Sequence, residues 1–184
     1  MKRLLVLALL SALPVASGAA SRSSLRISLM SPYQPAALRR HYEQAAADKQ
    51  AGEKFYALLH DYSGQDALVL GYKAASEAIK ARDASMLNKL TYVQQASKTF
   101  EQAVLLDSDN AEIRFLRFSV ESNLPPFLGL SKHVDEDKSF LLQAALQHPG
   151  SGMDDEAFQT VRGFLVGRGH VSDDDAQRLA RVKS

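Results

Sequence analysis

The sequence predicts an all-α protein, an irregular bundle of about six to eight helices. Three observations carry that expectation. From Pro35 onward, apolar residues recur at helical spacing in one segment after another. The gaps between segments hold helix-capping and helix-stopping residues: Ser63-Gly64-Gln65-Asp66, Asp107-Ser108-Asp109-Asn110, Pro125-Pro126 and His148-Pro149-Gly150-Ser151-Gly152. No strand pair and no strand–helix alternation appears, which argues against a sheet-based fold.

The chain begins with the three parts of an export signal. Lys2 and Arg3 supply positive charge, Leu4 to Leu13 is a short apolar run, and Pro14 precedes small residues at Ala16-Ser17-Gly18-Ala19-Ala20. The run falls far short of the roughly 20 apolar residues of a spanning helix. Residues 1–20 are therefore expected to be a signal peptide, cut after Gly18 or Ala20, and the remainder to act in the periplasm or outside the cell. Residues 21–34 are Ser-rich and are expected to form a flexible arm. Leu25, Ile27 and Leu29 alternate there as in a strand, but a lone strand has nothing to pair with.

Residues 35–184 are expected to form one helical domain. Pro35 suits a first helical turn, and Leu38, Tyr42 and Ala45 follow at helical spacing to about Gln50. Gly52 is read as a separator before a short helix from Glu53 to Tyr62, with Phe55, Leu58 and Leu59 on one side. Asp66 caps a third helix to about Arg82, with Leu68, Tyr72, Ala75 and Ile79 in one stripe. Gly71, Ala74 and Ala78 lie beside that stripe and let a neighbouring helix approach closely. A fourth helix, about Lys89 to Leu106, aligns Leu90, Val93, Ala96, Phe100, Ala103 and Val104 as a core face.

The fifth, Ala111 to Asn123, is apolar almost all round and should occupy the centre of the core. Its charged stripe is Arg114, Arg117 and Glu121. A sixth runs from Val134 to Gln147, with Asp135, Glu136 and Asp137 in its first turn, where the helix dipole favours acids. His148–Gly152 is read as a linker. Two helices follow: Asp154 to Val166, and one capped by Ser172, with Asp175 three residues on.

Composition removes several functional classes. With no Cys, there can be no disulfide, thiolate zinc site or thiol nucleophile. Two of the 22 basic residues lie in the signal segment, which leaves 20 against 21 acidic ones. That balance gives no electrostatic case for a nucleic-acid partner.

The stretch Ala96, Phe100 and Ala103, followed by Leu106-Asp107-Ser108-Asp109-Asn110, resembles the second helix and turn of a tetratricopeptide repeat. The two alanines admit a paired helix and the phenylalanine fills the gap between them. Ser108 stands where many such repeats have proline, and no 34-residue period extends along the chain. The order Ile113-Arg114-Phe115-Leu116-Arg117-Phe118-Ser119, with Pro125-Pro126-Phe127-Leu128-Gly129 after it, also looks like a group of short exported bacterial helical proteins. The first resemblance implies one repeat-like hairpin within the third to fifth helices and a protein as partner.

No catalytic constellation stands out. The five histidines, at 41, 60, 133, 148 and 170, make no metal-binding spacing. His133 with Asp135 and Glu136, and His60 with Asp61, are the best local clusters, and each reads as a helix-end feature. Gly-x-Ser-x-Gly and phosphate-cradling glycine loops are absent. Asp173-Asp174-Asp175 reads as a helix start. No cofactor or metal is expected.

Arg114 and Arg117 remain, because two guanidiniums on a buried helix must find partners. Glu121 can serve Arg117 at i+4, and Asp135, Glu136 or Asp137 can serve the rest if the sixth helix folds back. The reading that follows is a non-catalytic interaction or scaffold module of the bacterial cell envelope. The alternative is a small-molecule or anion binder, or a hydrolase, using Arg114, Arg117 and Asp135–Asp137 in an open cleft.

Overall fold

A computed structural model of the chain describes residues 31–183. The expected signal peptide and residues 21–30 of the arm lie outside them. Ser31–Gln34 forms a turn in which the Tyr33 N–H donates to Ser31 Oγ at 3.2 Å. From Pro35 the fold is all-helical, with eight α-helices and one 3-10 turn and no strand among the described residues.

The helices are α1 (Pro35–Ala47), α2 (Lys49–Leu59), α3 (Ala67–Asp83), α4 (Met86–Leu106) and α5 (Ala111–Glu121). After the 3-10 turn Pro126–Leu128 come α6 (Val134–Leu146), α7 (Asp155–Gly167) and α8 (Asp173–Ala180). Most begin on the cap their sequence supplies. Asp66 accepts from the Val69 N–H at 3.0 Å, Asn110 from Glu112 and Ile113, Asp154 from Ala157 at 2.8 Å, and Ser172 from Asp175 at 3.2 Å.

The break between α1 and α2 lies at Asp48, where Gly52 was expected to separate them. Asp48 is extended and its carboxylate accepts from the Ala51 N–H at 2.7 Å, so it starts a helix that runs through Gly52. Gly52 answers a packing demand: a Cβ there would lie 2.9 Å from Ile79 Cγ2. The missing side chain lets α2 sit against α3.

α3 packs against α1, α2, α4 and α5. Most of its surface is therefore buried, including Tyr72, Ala74, Ala75, Ser76 and Glu77. Only Ala84 and Ser85 separate it from α4, and the two helices lie antiparallel along their length. α4 begins at Met86, earlier than expected, and its first two turns depart from the expected core face. Phe100, Ala96 and Ala103 are buried, but Leu90 is 46% exposed and Met86 82%.

α5 is the central helix. Ile113 and Leu116 face α3, where a Cβ on Gly71 would sit 3.3 Å from Ile113 Cγ1. Phe115 and Phe118 join Leu141 of α6, Phe158, Val161 and Leu165 of α7, and Leu179 of α8 in the larger hydrophobic core. His148–Gly152 is the turn between α6 and α7, with His148 buried and stacked on Phe158 at 4.2 Å. Among the described residues no helix is long and apolar enough to cross a membrane.

Candidate functional site

The arginine stripe forms a closed cluster. α6 folds back on α5 and places Asp137, fully buried, between the two guanidiniums. Arg117 donates through Nε to Asp137 Oδ2 and through Nη2 to Oδ1, both at 2.7 Å. Arg114 donates to Asp137 Oδ1 at 3.0 Å, to Glu136, and through Nε to the Ser108 carbonyl at 2.9 Å. Its guanidinium also lies 4.8 Å over the Phe140 ring. Burial works against the charge on Arg114, but the Glu136 and Asp137 bonds outweigh it and hold its pKa above the ordinary value. The Arg114 hydrogen bond in turn holds Glu136 below the usual carboxylate range.

Four of the six predicted residues therefore meet: Arg114, Arg117, Glu136 and Asp137. Glu121 does not serve Arg117. It accepts from the His133 backbone N–H at 2.9 Å, and its Oε1 lies 2.9 Å from His133 Nδ1. The N-terminus of α6 draws the carboxylate away, because its first N–H groups have no partner within the helix. Asp135 points outward and pairs with Lys138. Asp137 has both oxygens occupied and is shut from solvent, so the cluster offers no open cleft for an anion.

Two charge networks, one buried and one partly exposed, escaped the sequence reading. Glu77 on α3 is fully buried and accepts from Thr99 Oγ1 at 2.8 Å and Gln95 Nε2 at 3.0 Å, both on α4. Burial raises its pKa, against the opposing effects of Thr99, Lys73 and Gln95. A lone acid within the small-residue stripe of α3 was the available signal. Arg39 on α1 binds Glu112 in a two-pronged contact, at 2.9 and 2.6 Å, and reaches Asp154 and Glu156 as well. Tyr72 adds a hydrogen bond to Glu112. Glu112 lies 73 positions from Arg39, so no local pattern could have joined them. Among the described residues, no group of three or more His, Asp or Glu side chains is placed to hold a metal ion.

One open feature among the described residues is an apolar groove of about 790 Å³. Its floor is Ala75, Ala78 and Ile79 of α3. One wall is Met86, Leu90 and Val93 of α4; the other is Val120 of α5 with Leu124, Phe127 and Leu128. Phe127 is 86% exposed, held out by the 3-10 turn that follows Pro125. Two polar groups at the base satisfy each other, since Tyr42 Oη and Ser119 Oγ are 3.1 Å apart. Burial also pushes the Tyr42 hydroxyl pKa up. The charged residues lining the groove are Arg82, Lys89 and Arg168, all cationic.

None of the residues lining the groove is an aspartate, glutamate or histidine. Its surface is mainly aliphatic and aromatic, and Asp83, beside the lining residue Arg82 in sequence, is engaged by Arg82 at 2.7 Å. No protein-family model, curated protein or solved structure matches the chain.

Proposed function

We propose that the chain is a non-catalytic, exported interaction module of the bacterial cell envelope, with α3–α5 serving as a hairpin of the tetratricopeptide kind. The groove is where a partner protein docks. One observation carries this reading: Met86, Leu90 and Phe127 stand exposed around a contiguous apolar trough, where a monomeric fold gains nothing by leaving them wet. Arg114 and Arg117 speak against the anion-binding alternative, since Asp137 already occupies them. The order of charged, apolar and small residues in positions 2–20 supports export.

A photo-crosslinking residue placed at Phe127 or Leu90 tests the docking surface in cells. Discrete protein adducts should form there and not from a crosslinker at Arg178, on α8. Adducts that are equal at all three positions, or absent from the groove, would end the proposal. Sequencing the N-terminus of exported protein should find Ala19 or Ser21 first; an intact Met1 would rule out cleavage.

A further inference from the structure

We infer that the occupant of this groove is an amphipathic helix of a partner protein whose solvent-facing flank is acidic. The inference rests on the docking reading above and adds the chemistry of what docks. Shape argues for a helix. The floor is made of small side chains, Ala75 and Ala78, which let another backbone approach closely. The wall from Met86 to Val93 is about 10 Å long at the helical rise, close to two turns of an opposing helix with anchors at i, i+3, i+4 and i+7. Addition of a strand is not on offer, since the described residues contain no strand and so no sheet edge for it to pair with.

The openness of the trough favours such a helix over an acyl chain. Small apolar ligands are held in sites that enclose most of their surface. Here Met86 and Phe127 are more than four-fifths exposed, so one side of any occupant stays in water. An amphipathic helix turns its polar face to that side. Met86 adds an adaptable side chain at the rim.

Charge selects the sign of the polar face. The whole chain is nearly balanced, 22 basic to 21 acidic, yet every charged residue lining the groove is a cation. Arg82 is already paired with Asp83. Lys89 donates to the Arg82 carbonyl, Arg168 lies over the Phe164 ring, and neither meets a carboxylate among the described residues. They come from α4 and from the end of α7, so cations border the groove from separate elements. α4 also begins beside it with no side-chain cap on its first N–H groups, which adds the positive end of a helix dipole.

Two labelled peptides test the inference by fluorescence anisotropy on the purified chain. Both carry the same leucines at i, i+3, i+4 and i+7; one has glutamates and the other lysines on the opposite face. The glutamate peptide should bind about tenfold more tightly at low salt. The gap should close near 1 M salt, where the screening length is about 3 Å. Lys89→Glu with Arg168→Glu, both at exposed positions, should invert the preference, and Phe127→Ser should weaken both peptides. Equal binding of the two peptides, with Phe127→Ser still weakening both, would overturn the acidic inference and leave the docking surface standing. Binding of laurate with neither peptide bound would overturn both. Self-association of the chain that Phe127→Ser abolishes would instead make a second copy the occupant and overturn the inference.

Discussion

Along α5 two regions treat their side chains in opposite ways. At Arg114 and Arg117 the charges are buried and each finds a partner on α6. One turn further on, at Val120, the helix meets a trough whose apolar walls are left in water. Buried charge in this protein serves assembly, because an ion pair closed to solvent has no capacity left for a ligand. Exposed apolar surface carries an unused hydrophobic driving force, roughly 25 cal/mol per Å² removed from water before the costs of association are met. The residues that stand out chemically are therefore held inside the fold, and the plain ones face water.

The strongest way to break this contrast is at the closed cluster. Arg117→Gln keeps much of the packing of the stem but leaves Asp137 short of its main partner. The loss should be about 3–5 kcal/mol by urea denaturation. Combined with Asp137→Asn, the losses should be non-additive, because either change alone breaks the shared contact. A stable Arg117→Gln protein without coupling would reopen the cluster as a site.

Phe100→Ala tests the α3–α4 hairpin at its closed end. The ring is 1% exposed between two fully buried alanines, so the cavity should cost about 3–5 kcal/mol, toward the lower end if neighbours relax. A loss under about 1 kcal/mol would mean that the hairpin is loose throughout, with no contrast between its two ends.

Glu77→Gln should act in the other direction. Burial raises the Glu77 pKa in the folded state, so the folded chain holds this proton more readily than the unfolded one. Above the raised value the ionised group weakens the fold, and that penalty fades as pH falls toward the ordinary carboxylate value. The glutamine variant should thus be the more stable at neutral pH and lose its advantage in acid. Thr99 can turn its hydroxyl to accept from the new amide. Denaturation midpoints at pH 7 and pH 4 check this; an advantage that is equal at both would remove the carboxylate as its cause.

The smallest stability effect belongs to the groove. Phe127→Ser should shift stability by no more than about 0.5 kcal/mol while removing crosslinks and peptide binding. A large loss of stability would mean that Phe127 belongs to the core and that the two regions differ less than their exposure indicates.

The helical class was legible because the caps and the spacing agreed. Asp66, Asn110 and Ser172 begin helices with the bonds their types favour. The pairing of α5 with α6 was legible too, since buried guanidiniums demand acids and few were within reach. What escaped was set by distance or by ambiguity. Gly52 reads as a break locally, and only contact with Ile79, 27 positions on, gives it a place inside a helix. Leu90 has the spacing of a core residue, and helical spacing alone cannot say whether the facing surface belongs to the same chain. The groove was therefore hidden in a pattern that looked like core.

The position of α5 has a consequence for how the domain comes apart. α5 packs against α3, α4 and α6, and its Phe115 and Phe118 enter the core shared with α7 and α8. A segment that shares surface with both halves cannot open while either stays folded. Its amide protons should therefore exchange with solvent only when the whole domain unfolds. The first turns of α4, with Met86 and Leu87 uncovered, should exchange through small local openings. The molecule then has its slowest exchange clock at the middle of its sequence, with faster ones beside the groove.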